Sequence, residues 1–329
     1  MSTTLVMTVD EMNAVEGRAK WLEMRKTGIG GSDAGVIAGV NKWKSLYQLW
    51  LEKTNQLKED AENVSEETKN RLYWGTALEE LIANWFTEQT GKKLRRCGMM
   101  RSNEHPFMLA DVDRVVIGEN AIVECKTTAT WNAGEWEDDN IPASYYCQVQ
   151  HYMAVGGYDK CYMVCLIGGN TPIIREIERN EEDIAALIAA EEEFWSKYVV
   201  AKDMPMADGS DKCTAVLQKM YPGGGEEAVE MDGKFDALCD TICDLQEQAK
   251  TIDGLLKEKK NILRQEMGNA EFGRTQKYNV WYKVGHRAGI DIKALCRDYP
   301  NIADKYKTST PYRNLRVAIS KARTKEGIN

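Results

Sequence analysis

The stretch Leu109-Ala110-Asp111-Val112-Asp113-Arg114-Val115-Val116-Ile117-Gly118-Glu119-Asn120-Ala121-Ile122-Val123-Glu124-Cys125-Lys126 reads as a β-hairpin. The first strand runs into Val115, Val116 and Ile117. Gly118-Glu119-Asn120 is turn chemistry, and Ala121 to Lys126 is the returning strand. Side chains two apart on a strand share a face. Asp111 therefore goes with Asp113, and Glu124 with Lys126. Pairing the strands brings an aspartate beside Glu124 and Lys126. Carboxylates beside a lysine on a sheet face suit a hard divalent cation, and such an ion can activate water and clamp a phosphodiester. Glu-x-Lys alone is a weak signal, because charged residues on strands mostly face solvent. Order adds weight: a helical pattern with Glu79 and Glu80 precedes the hairpin, and one with Gln148 and Gln150 follows it.

A chain of 329 residues has room for two domains and a large core. With 43% hydrophobic and 29% charged residues it has an ordinary globular composition. No apolar run approaches membrane-spanning length, so no membrane partner is expected. The N-terminal M-S-T-T-L-V-M-T-V-D lacks a basic region followed by an apolar one, so no signal peptide is expected and the cytoplasm is the default. The nine cysteines form no C-x-x-C pair. Cys161/Cys165 and Cys239/Cys243 are four apart with no histidine nearby, the pattern of free thiols among apolar neighbours. With three histidines in all, a histidine-based metal site or triad is not expected. A net charge of −8 is not the balance of a nucleic-acid coat protein. It is compatible with an enzyme that gathers its basic residues into one channel.

Around the hairpin, Trp21 to Lys26 reads as a helix end stopped by Gly28, and Gly30-Gly31-Ser32-Asp33 opens a new helix with Ser32 or Asp33 as cap. Without G-K-[S/T] this is not an ATP-binding loop, although a glycine-rich helix entry can hold a phosphate. Leu46 to Thr54 is an amphipathic helix. Residues 55–70 are acidic and solvated. A long helix runs to about Thr90 with Leu78, Leu81, Ile82, Trp85 and Phe86 inward, ended by Gly91. Lys93 to Met100 is a strand. Trp131 and Trp136 either line a cleft beyond Lys126 or pack the next element. The helix after Pro142 places Tyr145, Gln148 and Tyr152 on one face, with His151 read as structural. Strands at Cys161–Ile167 and Pro172–Glu178 and a helix capped by Asn180 complete an α/β domain over residues 1–201. Residues 202–229 read as a linker or lid, rich in Gly and Pro. Residues 230–329 form a C-terminal helical and α+β extension. Its seam Phe235, Leu238, Ile242, Leu245, Ala249, Ile252, Leu256, Lys259, Leu263 repeats every three and four residues. That predicts a helix over 230–267, about 55 Å long, with Gly254 as a place to bend. The seam folds back, pairs with another subunit or binds a partner; the pattern does not choose. A strand around Tyr278–Val284, a short helix after Asp291 and a basic tail with a strand from Arg313 close the chain.

Together these motifs resemble the PD-(D/E)xK nuclease superfamily, and within it the lambda-exonuclease-like (YqaJ-type) phage recombination exonucleases, over roughly residues 20–200. Arg25-Lys26-Thr27-Gly28-Ile29-Gly30-Gly31-Ser32 is similar to the family's R-x-G-x-x-[A/G]-S segment, which implies Arg25 and Ser32 as the holders of a terminal 5′ phosphate. Trp74-Gly75 with Glu79 resembles its first acidic motif and selects Glu79 over Glu80. Ala110 to Arg114 resembles its aspartate motif and puts Asp113 in the metal-ligand place, with Asp111 as competitor. Tyr145-x-x-Gln148-x-Gln150 resembles its glutamine motif, with Gln148 in the active site and Tyr145 nearby. The absence of a cysteine cluster separates the chain from the iron–sulfur relatives of this superfamily.

The resemblance implies a restriction-endonuclease-like α/β core, a central mixed sheet flanked by helices. It implies a Mg²⁺-dependent exonuclease, with Mn²⁺ able to substitute, that degrades one strand of duplex DNA from the 5′ end and leaves 3′ tails for annealing. Glu79, Asp113, Glu124 and the Cys125 carbonyl would hold metal, with Lys126 and Gln148 completing the catalytic set. A ring-shaped homo-oligomer, a single-strand annealing protein as partner, and the cytoplasm of a bacterial or phage-infected cell are implied as well. The rivals are an endonuclease or flap nuclease of the same fold, and a non-catalytic scaffold that binds a recombination partner.

Overall fold

In the computed structural model, which describes residues 3–57, 65–223, 225, 228–308 and 313–318, Arg114–Val116 pairs antiparallel with Ala121–Thr128, Arg114 opposite Val123. Gly118, with φ of 88°, makes the turn that a side chain would strain. The chain divides into two compact units, Met1–Lys219 and Met220–Asn329. The first runs β1 (Thr3–Met7), α1 (Val9–Asn13), α2 (Gly17–Lys26), β2 (Ile29–Gly30), α3 (Gly31–Ile37), α4 (Leu46–Lys53), α5 (Glu66–Thr90), β3 (Leu94–Arg95), β4 (Met99–Ser102), β5 (Met108–Ala110), β6 (Arg114–Val116), β7 (Ala121–Thr128), α6 (Ala143–Gly156), β8 (Lys160–Ile167), β9 (Thr171–Glu178), α7 (Glu181–Glu193) and α8 (Asp211–Met220).

The main sheet has the order β3-β6-β7-β8-β9, with β7 and β8 parallel over eight residue pairs and the other neighbours antiparallel. Alternation along β7 explains how it is covered. Ala121 and Val123 pack with Ile82 and Phe86 of α5, while Ile122 packs in the cluster that holds Val149 and Met153 of α6. Glu124 and Lys126 continue the Ile122 parity and so point toward α6. This is the expected α/β arrangement, a central mixed sheet with helices on both faces.

A second sheet, β1-β4-β5-β2, changes the reading of the hairpin's first arm. What looked like one strand is two: β5 belongs to the second sheet and β6 to the main sheet, and Asp111-Val112-Asp113 crosses between them. The expected strand over Lys93–Met100 is likewise split into β3 and β4. In α5, Ile82 and Phe86 are buried, but Leu81 is 62% exposed, because Leu81 lies a full 100° of helix rotation from Ile82 and outside the buried stripe. Gly91 ends α5 in the left-handed region, φ 70°. Asp33 does not cap α3. Gly30 does, and the Asp33 carboxylate reaches back to accept from its N–H at 3.1 Å. Asn180 caps α7 as expected.

Within residues 202–229, α8 buries Cys213 and Val216, and the boundary between the units falls at its end. The second unit contains α9 (Asp236–Met267), the hairpin β10 (Phe272–Arg274) and β11 (Asn279–Trp281), α10 (Ile292–Asp298, capped by Asp291) and α11 (Pro300–Lys305). No described residue of this unit is buried. Residues 313–318 form no strand, and the basic positions beyond residue 318 lie outside the described residues. The cysteines with described positions are free thiols, Cys161 and Cys165 fully buried. Among the described residues no helix is long and apolar enough to cross a membrane.

Candidate active site

The crossing from β5 to β6 decides which aspartate meets β7. Asp113 is the last residue of the crossing, and its Oδ2 accepts from the Cys125 backbone N–H at 2.7 Å. Extending the register of Arg114 opposite Val123 would put Val112 opposite Cys125, where β6 has not yet begun. The Asp113 side chain thus takes the place of a missing strand. Glu124 is buried. Its Oε1 accepts from Lys126 Nζ at 2.7 Å and from Gln148 Nε2 at 2.8 Å. Lys126 Nζ also donates to Gln148 Oε1 at 2.9 Å and lies 4.7 Å from the Tyr145 ring centre. Gln148 therefore fastens both charged residues to α6.

Burial raises the Asp113 carboxyl well above its ordinary range, and the nearby Glu124 and Glu79 charges push the same way. Glu124 is also raised by burial, against the pull of Lys126. For Lys126, burial alone would favour the neutral amine, but Glu124 and Asp113 outweigh it and the ammonium holds its proton more firmly than usual. Lys126 pairs with the buried Glu124, the half-buried Asp113 lies close enough to act on both, and Glu124 Oε2 is buried without a hydrogen-bond partner. Two carboxyls and an unused carboxylate oxygen beside one ammonium are oxygen donors of the kind a hard cation takes.

The other carboxylates are engaged elsewhere. Arg114, its side chain almost fully buried, donates to Glu79 Oε1 at 2.5 Å, Glu80 Oε2 at 2.7 Å and the Asp113 carbonyl at 2.6 Å. Glu80 also pairs with Arg96 at 3.0 Å on the surface. Asp111, raised by burial, accepts from the Trp21 indole N–H at 2.5 Å. With Glu79 held by Arg114 and Asp111 by Trp21, no three acidic, histidine or cysteine side chains among the described residues lie together as a ready-made ligand set.

Arg25 and Ser32 meet directly: the guanidinium donates to Ser32 Oγ at 2.7 Å and to Asp33 Oδ1 at 3.3 Å. Asp33 is buried with Lys53, Nζ to Oδ2 at 2.7 Å, and Lys53 also donates to the carbonyls of Arg25 and Gly28. Burial works against the Asp33 charge, but Lys53 and Arg25 prevail and hold the carboxyl well below the usual range. A cavity of about 470 Å³ joins the two clusters, with Arg25, Ser32, Glu79, Asp113, Glu124 and Gln148 in its wall.

His151 lies away from this cavity wall. Its ring nitrogens face Glu191 (2.8 Å) and the Leu109 carbonyl (2.9 Å) in full burial. Trp136 is buried, whereas Trp131 is 87% exposed. Sequence reasoning passed over Lys53, Trp21 and Arg114. Only Arg114, beside Asp113 in the aspartate motif, carried a signal.

Residues 20–159 match the YqaJ-like viral recombinase domain, a span that includes every residue from Arg25 to Gln148. The protein YqaJ of Bacillus subtilis (strain 168) is 39% identical over 309 residues, 93% of this chain and 95% of that one. Among solved structures, an alkaline exonuclease (LHK-Exo) from Laribacter hongkongensis aligns at 18% identity and TM-score 0.47, over 61% of this chain and 97% of that one. A phage-related exonuclease from Haemophilus somnus 129PT aligns at 14% identity and TM-score 0.39, over 56% and 100%.

Proposed function

The chain belongs to the YqaJ-like viral recombinase family, and from that premise we propose that it is a metal-dependent deoxyribonuclease, an exonuclease that removes one strand of double-stranded DNA from its 5′ end. The product is a 3′ single-stranded tail for phage-type recombination by annealing. One observation carries this reading: Asp113, Glu124 and Lys126 converge where two sheets meet, with Glu124 Oε2 buried and unpartnered.

These residues suit a hard divalent cation, which oxygen ligands hold best. Asp113, Glu124 and the Cys125 carbonyl would hold Mg²⁺ or Mn²⁺, with Glu79 joining them once Arg114 releases it. The ion would polarise the scissile phosphate and lower the pKa of the attacking water. Lys126, its charge secured by two carboxylates, steadies negative charge growing on the phosphate. Gln148 keeps Lys126 and Glu124 in fixed relation. Arg25 and Ser32 offer a guanidinium and a hydroxyl to the terminal 5′ phosphate, a geometry suited to charge-assisted hydrogen bonds.

Residues 1–201 hold this machinery. The extension over 230–329 serves contacts with other copies in a ring or with a single-strand annealing protein, and its exposed seam supports that role. The cytoplasm of a bacterial or phage-infected cell is the fitting location for such work. The deciding experiment is a Mg²⁺ time course on linear duplexes labelled at either end, with a closed circle alongside and Lys126→Ala as control. Progressive loss from 5′ ends with the circle intact is expected. Cutting of the circle would move the reading to an endonuclease, and silence with every metal would leave a non-catalytic scaffold.

A further inference from the structure

Helix α6 acts as a ruler across the candidate site. Tyr145, Gln148 and Tyr152 share one face, spaced about 4.5 and 6 Å along the axis at 1.5 Å per residue. Helix α3 packs against it in the opposite sense. A Cβ at Gly31, in the first turn of α3, would come within 2.5 Å of the Tyr152 ring, and one at Gly35 would meet Ser144 at 3.0 Å. The start of α3, with Ser32 and the Arg25 guanidinium, therefore lies at the Tyr152 end. The end of α3, leading into residues 41–44, lies at the Tyr145 end. Gln148, Glu124 and Lys126 sit between.

At the Tyr145 end stands an aromatic group that the nuclease reading does not use. Trp43 stacks on Tyr145 with ring centres 6.4 Å apart and planes 23° from parallel. Behind Tyr145 lies the buried Trp136, 5.9 Å away. Trp43 is 46% exposed, yet its loop is tightly held. Asn41 Oδ1 accepts from the Trp43 and Lys44 N–H groups, and Lys42 pairs with Glu135 across to the segment that carries Trp136. A large ring presented to solvent on a fixed turn, in contact with the tyrosine that covers the catalytic lysine, is not packed as core.

We infer that Trp43 and Tyr145 form a stacking subsite for the nucleobase that follows the scissile phosphate, on the side of Lys126 away from the Arg25–Ser32 pocket. The occupant is a base because Tyr145 ties the shelf to Lys126, Trp43 offers an exposed π face, and its ring carries no charge that would choose among the four bases. The inference rests on the exonuclease reading. It adds that the site grips the strand at two points, a phosphate at one end of α6 and a base at the other.

The test uses the full-length protein with Ca²⁺ in place of Mg²⁺, to hold back hydrolysis. The probe is a 5′-phosphorylated duplex bearing 2-aminopurine at the second nucleotide of that strand. Wild type is expected to quench the probe on binding. Trp43→Ala should leave it bright and weaken binding roughly five- to tenfold, while Trp43→Phe should keep most of the quench; melting curves check that both variants fold. If wild type binds and degrades DNA but Trp43→Ala quenches and binds like it, the shelf is overturned and the exonuclease reading stands. If wild type neither binds nor cuts duplexes, the exonuclease reading fails and the shelf with it. Weaker binding with quench retained and assembly mass reduced would assign Trp43 to a contact between copies and overturn the subsite.

Discussion

Two helices of this chain stand in contrast. The 14-residue α6 buries nine of its residues, among them Gln148, Gln150 and His151. The 32-residue α9 has none buried among the described residues, although its apolar spacing is the more regular. In α6 polar side chains go inside because partners wait for them: Glu124 and Lys126 for Gln148, the Glu178 carbonyl for Gln150, and Glu191 for His151. In α9, Leu238, Leu245, Ile252 and Leu263 remain half or more open to solvent or close to it. Periodicity tells which residues form a stripe; it does not tell what the stripe meets. The first unit buries an apolar interior of its own, and the second has no buried residue among those described.

The sharpest way to break this contrast is to find the chemistry outside the first unit. Asp113→Ala or Lys126→Ala should lower Mg²⁺-dependent cleavage on the order of a thousandfold, the scale of losing a preorganised electrostatic partner. Asp111→Ala should leave much of the activity, since that carboxylate is spent on Trp21. The reverse pattern would exchange the roles of the two aspartates. Asp113→Asn should also raise the melting temperature of the metal-free protein. Its folded-state pKa is raised, so its favourable contribution is present below the ordinary carboxylate range and gone once pH has risen through the higher value. Ionisation of this carboxyl as pH rises therefore weakens the fold.

Next in size is the interior of α6. His151→Ala strands the Glu191 charge and should cost about 3–5 kcal/mol in denaturant titrations. Burial pulls the His151 pKa down, but Glu191 raises it further, so the net shift is upward. The pair's contribution is complete below the unfolded value of about 6.5 and is lost as pH rises through the folded value. Stability measured on either side of that window should fall with pH in wild type, and Glu191→Gln should flatten the fall. A flat wild-type profile would mean that the pair does not share a proton in this way.

Arg25→Ala should shrink the preference for 5′-phosphorylated over 5′-hydroxyl ends by about tenfold, the scale of one charge-assisted contact. An unchanged ratio would remove Arg25 from the phosphate pocket. The smallest expected effect on folding lies in α9. Leu245→Lys with Ile252→Lys should change unfolding free energy by less than about 1 kcal/mol, because neither side chain is buried. Their effect should appear in light scattering instead, as lower assembly mass or as loss of partner capture.

Much of the first unit was legible because its signals are local. Gly91 stops α5, Asn180 caps α7, and an unbroken apolar run makes β8. The cluster of the candidate site was legible as spacing: Glu124 with Lys126, and Tyr145, Gln148 and Tyr152 on one helical face. What stayed hidden was long-range. Alternation continues through Asp111-Val112-Asp113, so nothing local marks the passage from one sheet to the other. The Trp21–Asp111 and Lys53–Asp33 bonds join residues far apart in sequence, and an indole or a lysine in a helix looks the same whether or not a carboxylate waits for it.

The Cys125 amide has a consequence of its own. Residues of β7 pair with β6 on one side and β8 on the other. The Cys125 proton is instead aimed at the Asp113 carboxylate. Its chemical shift would move with the ionisation of that group and with any cation that arrives beside it. That backbone signal is a spectroscopic gauge of the Asp113 carboxyl, readable without substrate and without turnover.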